Sequence, residues 1–274
     1  MKTQKAELQL ENGMVFSGFS FGHAASVSGE IVFNTGMTGY PESLTDPSYK
    51  GEILTLTYPL IGNYGVPEFE KERALNEDFE SDNIHIRGLI VFEISGDYSH
   101  WKSVQSLAEW LKREKVPAIS GIDTRALTQV LREKGTMLGK IIVNDEEVEL
   151  YDPNKVNLVE SVSINKPEIH GDGDKTIALL DCGCKFSIIR NFTQRGFRVI
   201  RLPWDADLKD LKFDALFISN GPGDPEQAKT TIESVRWAME QKIPTMGICL
   251  GHQIMALAAG AKTYKLKYGH RSQN

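Results

Sequence analysis

The apolar positions of the chain fall into two rhythms. In the first half they come as short β-like stretches at 6–10, 14–19, 30–33 and 53–58, punctuated by Gly, Pro, Asn and Asp. Asn12-Gly13 separates the first two stretches, and both residue types tolerate the positive φ of a tight turn, so a hairpin is expected there. Further on, Val104, Leu107, Ala108 and Leu111 recur at helical spacing and would share one face, with Ser103 placed to cap them. A second short helix is expected over 124–133, stopped by Gly135. The pattern predicts a mixed α+β domain of mainly antiparallel character over 1–150.

From 151 to 174 the chain turns polar, with Asp152-Pro153, Lys166-Pro167 and the run Gly171-Asp-Gly-Asp174, which reads as a linker. The apolar runs that follow, at 177–180, 199–200, 215–218 and 245–248, do not alternate. Strands without alternation are buried on both faces, as in a parallel sheet covered by helices. Helical stretches at 186–195, 226–241 and 250–259 lie between and after them, so a doubly wound α/β domain is expected over 175–274. No internal repeat or low-complexity segment interrupts this plan.

Composition narrows the picture. Of 274 residues, 41% are hydrophobic and 25% charged, enough apolar side chain for two ordinary cores. The net charge of −6 provides no positive field for nucleic acid or an anionic membrane surface, so neither partner is expected. Residues 1–13 turn polar before a signal-peptide core could develop, and no apolar run approaches the roughly 20 residues needed to cross a bilayer. A cytoplasmic location is the expectation. The three cysteines, Cys182, Cys184 and Cys249, are an odd number and suggest no disulfide framework. Cys182 and Cys184 are one residue apart, not a zinc spacing, and no metal site is expected.

The most informative stretch is Pro244-Thr-Met-Gly-Ile-Cys-Leu-Gly-His-Gln253, where a buried strand runs through Gly247-Ile-Cys249-Leu-Gly251 directly into a helix. Glycines two residues before and after a nucleophile allow the close packing of a nucleophile elbow, here with Cys in place of Ser. The partial positive charge at a helix N-terminus favours the thiolate that attacks. Cys249 also falls at the carboxyl end of its strand, where open α/β sheets bind ligands. Asn220-Gly-Pro-Gly-Asp-Pro225, after a neighbouring strand, is a second loop that would converge there. The Leu250 N–H together with this loop could stabilise an oxyanion, each donor being worth ~3 to 4 kcal/mol in comparable sites. His252 rides the same turn as the nucleophile and reads as a structural rather than a catalytic histidine. Cys182 and Cys184 read as small apolar fillers or loop thiols.

The pair Gly221-Pro-Gly-Asp-Pro225 and Gly247-Ile-Cys-Leu-Gly-His-Gln253 resembles the class I glutamine amidotransferases, in which a Cys attacks the side-chain amide of glutamine. Phe33-Asn-Thr-Gly-Met-Thr-Gly-Tyr40, Leu44-Thr-Asp-Pro-Ser-Tyr49, Gly121-Ile-Asp-Thr-Arg-Ala-Leu127 and Arg132-Glu-Lys-Gly-Thr-Met137 look like the N-terminal domain of the carbamoyl phosphate synthetase small-chain family. The resemblance implies Cys249 as nucleophile, Gly223 and Leu250 as oxyanion donors, and Ser48, Gly221, Gly223, Leu250 and Gln253 as contacts of L-glutamine. It also implies a large-subunit partner that uses ATP, Mg and bicarbonate to make carbamoyl phosphate for arginine and pyrimidine synthesis, with no cofactor in this chain. The absence of a Gly-rich Lys phosphate loop agrees with ATP chemistry on a partner. The family completes its triad with a His and a Glu two residues apart. The chain ends at Tyr268-Gly-His-Arg-Ser-Gln-Asn274 before that segment, and truncation is the expectation, His270 not being the triad histidine. Two rival readings stand beside this one: the amidotransferase component of another synthase, and a non-catalytic glutamine-binding or scaffold subunit.

Overall fold

A computed structural model describes residues 4–70, 75–267 and 269. The first half opens with β1 (Gln4–Leu10), β2 (Val15–Ser20), β3 (Val27–Asn34), α1 (Tyr40–Thr45), β4 (Glu52–Leu56), β5 (Leu60–Ile61) and β6 (Val66–Pro67). It continues through β7 (Gly88–Ile90), β8 (Glu93–Ile94), β9 (Ser103–Gln105), α2 (Leu107–Arg113), β10 (Ala118–Ser120), α3 (Thr124–Lys134) and β11 (Met137–Val143). Seven of these strands close into a barrel in the order β1-β11-β3-β4-β7-β10-β2. Leu8, Ile31, Ile53, Ile90, Ile119 and Ile141, each fully buried, belong to one core cluster, to which α3 contributes Leu127 and Leu131.

The hairpin expected at Asn12-Gly13 forms, with Gly13 at φ 86° and its N–H bonded to the Leu10 carbonyl. Four barrel pairings are antiparallel, but β3 with β4, β4 with β7, and β7 with β10 are parallel. The barrel is therefore less antiparallel than the strand pattern predicts. Each parallel pair is joined by a long connection, two of which carry α1 and α2, and a parallel return needs such a crossover. The helix expected around Val104 also shifts. Val104 lies exposed in β9, and α2 is capped by Ser106 rather than Ser103. Ser106 Oγ accepts the Glu109 N–H while the Glu109 carboxylate accepts the Ser106 N–H, so the reciprocal cap sets the start.

The second half contains β12 (Glu168–His170), β13 (Lys175–Asp181), α4 (Phe186–Thr193), β14 (Phe197–Pro203), β15 (Ala215–Ile218), α5 (Lys229–Glu240), β16 (Thr245–Gly247) and α6 (Leu250–Ala258). The sheet order is β12-β14-β13-β15-β16, parallel except for β12. The antiparallel edge strand β12 comes from within the polar stretch 151–174, where Leu158 and Val159 are also buried. Two apolar clusters line the sheet: one takes in Leu180, Leu216, Val235, Leu250 and Ile254, the other Leu179, Ile189, Val199 and Phe217. This two-sided burial is what the unbroken apolar runs required.

Candidate functional site

The turn between β16 and α6 has the geometry of a nucleophile elbow. Cys249 takes φ 53° and ψ −112°, a conformation that costs a non-glycine residue of the order of 1–3 kcal/mol and persists only where surrounding structure enforces it. The enforcement is visible. The Ile248 N–H bonds to the Ile218 carbonyl at 3.1 Å, the Gly251 N–H to the Ile248 carbonyl at 2.9 Å, and the Gln253 N–H to the Cys249 carbonyl at 3.2 Å. A Cβ on Gly247 would sit 2.4 Å from the Gly251 carbonyl carbon, and one on Gly251 only 2.2 Å from the Ile218 oxygen. Both positions admit glycine because strand and helix cross there at backbone contact.

Cys249 is exposed and stands at the N-cap of α6, whose first-turn amides place partial positive charge nearby. The other two thiols differ in kind. Cys182 and Cys184 are fully buried, and burial, with Asp181 adding to it, pushes both well above the ordinary thiol range. Of the three sulfurs only that of Cys249 is presented to solvent.

The second loop converges as its sequence suggests. A Cβ on Gly221 would fall 2.0 Å from the Cys182 carbonyl oxygen and 2.8 Å from Leu250 Cδ2, so this loop lies against the end of β13 and the first residue of α6. Gly223 takes φ 79° above the Leu158 side chain. Gly221, Leu250 and Cys249 thus come together at the carboxyl ends of adjacent strands. Gln253 and His252 are both exposed in the first turn of α6.

Ser48 arrives from the other half. It sits in the short 3-10 turn Pro47–Tyr49, where Asp46 caps the turn by accepting the Ser48 N–H at 2.9 Å. The buried Asn220 donates from Nδ2 to Ser48 Oγ at 2.9 Å and to Asp46 Oδ1 at 3.4 Å, while its Oδ1 accepts the Lys185 N–H at 3.2 Å. Lys185 Nζ lies 3.6 Å from Asp46 and 3.3 Å from Glu80. Burial opposes its charge, but the two carboxylates outweigh that and the net shift of its pKa is upward.

Asp46, Lys185, Glu80 and Asn220 were not singled out by sequence reasoning. Asn220 opens the loop 220–225 and Asp46 lies within the stretch 44–49, yet neither has a role that its local sequence reveals, and nothing local says that they meet. Among the described residues no group of three or more His, Cys, Asp or Glu could hold a metal ion, and no helix is long and apolar enough to cross a membrane. His270 lies outside the described residues.

Comparison with known proteins covers both halves. A family model described as "Carbamoyl-phosphate synthase small chain, CPSase domain" matches residues 8–141, and "Glutamine amidotransferase class-I" matches 178–274. The "Carbamoyl phosphate synthase arginine-specific small chain" of Saccharomyces cerevisiae is 49% identical over 283 residues, spanning 98% of this chain and 69% of that protein. The "Multifunctional protein CAD" of Squalus acanthias is 52% identical over 276 residues, and the "Carbamoyl-phosphate synthase [ammonia], mitochondrial" of Homo sapiens 47% over 279. The chain spans only 12% and 19% of the length of these two relatives.

Proposed function

This chain belongs to the carbamoyl-phosphate synthase small-chain family, and from that premise we propose that it hydrolyses glutamine at Cys249 and delivers the ammonia to a synthetase that makes carbamoyl phosphate. The observation that carries the reading is the exposed Cys249 thiol, held in a strained turn at the start of α6 with the Gly221 loop packed against Leu250. A cysteine that only filled space would have no reason to be exposed and strained at once.

In this proposal the Cys249 thiolate adds to the δ-carbonyl carbon of glutamine, and the oxyanion lies toward the Gly223 and Leu250 amides. Collapse of that adduct breaks the carbon–nitrogen bond. The nitrogen takes up a proton and leaves as ammonia, with the γ-glutamyl group bound to sulfur as a thioester. Water then adds to the thioester carbonyl, the carbon–sulfur bond breaks, and glutamate departs with the thiolate restored. Ser48, Gly221 and Gln253 complete the contacts to the substrate. The proton carrier in this proposal is the family's triad histidine, which the resemblance places in a segment following residue 274 and which none of the 274 residues replaces. ATP and Mg belong to the synthetase, as a separate large subunit or as part of one longer chain. Cytoplasmic residence remains part of the proposal, one relative being mitochondrial by name.

A glutamine-analogue diazoketone tests the reading. It is expected to alkylate Cys249 rapidly and to spare Cys182 and Cys184. Labelling of Cys249 no faster than of the two buried thiols would favour the scaffold reading. In the complex with the synthetase, Cys249→Ser is expected to abolish glutamine-dependent synthesis and to leave ammonia-dependent synthesis intact. Loss of both activities would point to a structural cysteine.

A further inference from the structure

Resting on the glutamine site proposed above, we infer that Glu80 is a positioning residue of that site, setting Ser48 in register with the Asn220 loop although it touches neither sulfur nor substrate. The site is assembled from two halves of the chain, so its geometry is only as definite as the contact that aligns them. Glu80 stands at that contact and bonds in both directions.

Toward the first half, the Glu80 N–H donates to Thr45 Oγ1 at 3.0 Å, and the neighbouring Ser81 hydroxyl donates to the Thr45 carbonyl at 2.6 Å. Thr45 is the last residue of α1 and immediately precedes the Asp46 cap and the turn that carries Ser48. Toward the second half, the Glu80 carboxylate accepts the Ser187 N–H at 2.9 Å, and its carbonyl accepts the Phe186 N–H at 2.8 Å. These are first-turn amides of α4, a helix whose own N-cap, Lys185, offers no side-chain acceptor. A helix start leaves amides without partners inside the helix, and here a residue from the other half satisfies two of them.

Two further features make this contact specific. Arg190, on the same helix, donates from Nη1 to the carbonyls of Leu75 and Phe79 at 3.4 Å and also to that of Asn76, which ties the chain just before Glu80 to α4. The Glu80 side chain is almost wholly buried and lies 3.3 Å from Lys185, the residue whose N–H holds Asn220 Oδ1. The path from Glu80 therefore reaches Ser48 twice, through Thr45 on one side and through Lys185 and Asn220 on the other.

The test uses the full chain and follows L-glutamine protection of Cys249 against iodoacetamide, read by mass spectrometry beside the alkylation rate without glutamine. Glu80→Ala is expected to weaken protection about ten-fold, the loss of one charge-assisted hydrogen bond, while the unliganded rate stays within about two-fold of the unmutated chain. Glu80→Gln keeps a carbonyl that can accept the Ser187 N–H and should restore most of the protection. A merely structural role would move protection and unliganded reactivity together, and would open Cys182 and Cys184 to the reagent. Should Glu80→Ala not fold, Glu80→Asp carries the same test, its carboxylate being one methylene too short to reach Ser187. Protection unchanged in whichever of these variants folds, or failure of Gln to rescue, overturns the role of Glu80. No protection in the unmutated chain overturns the glutamine site itself.

Discussion

Asn220 donates to the Ser48 hydroxyl at 2.9 Å across 172 residues of sequence. Its side-chain carbonyl oxygen accepts the Lys185 N–H, an orientation of the carboxamide that turns Nδ2 toward Ser48. The Ser48 oxygen is thus the acceptor in this pair.

Asn220→Ala should remove that orientation and strand the Lys185 amide. Glutamine protection of Cys249 is expected to weaken about ten-fold, with roughly 1–3 kcal/mol of stability lost to the unpaired buried groups. Protection equal to that of the unmutated chain would mean that Ser48 does not depend on Asn220.

Gly251→Ala places a methyl 2.2 Å from the Ile218 carbonyl oxygen, a backbone atom with little room to yield. Overpacking of this kind costs about 1–3 kcal/mol, so Tm should fall by roughly 3–10 °C in a thermal melt followed by circular dichroism. An unchanged Tm would show that the elbow can open to admit a side chain.

Cys249→Gly should do the opposite. Glycine accepts φ 53° without the cost that cysteine bears there, and the relief of about 1–3 kcal/mol exceeds the roughly 0.5–1 kcal/mol of added backbone entropy. A Tm two or more degrees higher, together with complete loss of glutamine hydrolysis, is the expected pair of results; a lower Tm would mean that the turn is not strained.

His85 gives the fold a pH dependence. Burial first, and then the charge of Lys50, lower its pKa to about 4. Its Nε2 lies 2.9 Å from Ser81 Oγ, while the buried Nδ1 has no hydrogen-bond partner among the described residues. A proton on Nδ1 would therefore be an unpaired buried donor, and the folded state holds the neutral ring. The unfolded chain binds this proton more readily, so the contribution is fully present above the ordinary pKa near 6.5 and is lost as pH falls toward 4. At roughly 1.4 kcal/mol per pKa unit it amounts to about 3 kcal/mol. His85→Gln is expected to flatten the fall in urea midpoint between pH 7 and pH 4.5, and a variant as acid-sensitive as the unmutated chain would remove His85 from the account.

What the sequence determined alone is local. The hairpin at Asn12-Gly13, the stop of α3 at Gly135, the parallel strands of the second half and the elbow around Cys249 all follow from residues within a few positions of one another. Sterics at φ and ψ, helix and strand periodicity and near-neighbour hydrogen bonds act at that range, so the residue types announce the structure. Even there a local competitor can win, as Ser106 did over Ser103, because only Ser106 has a glutamate three residues on to return the bond. The closure of the barrel with three parallel pairings, the recruitment of β12 to the sheet edge, and the meetings of Ser48 with Asn220 and of Glu80 with the start of α4 were decided by tertiary structure alone. These contacts join segments that burial of apolar surface brings together. That force is nondirectional and sets which faces are hidden, while the partners that then meet depend on the finished packing and leave no periodic trace in the chain.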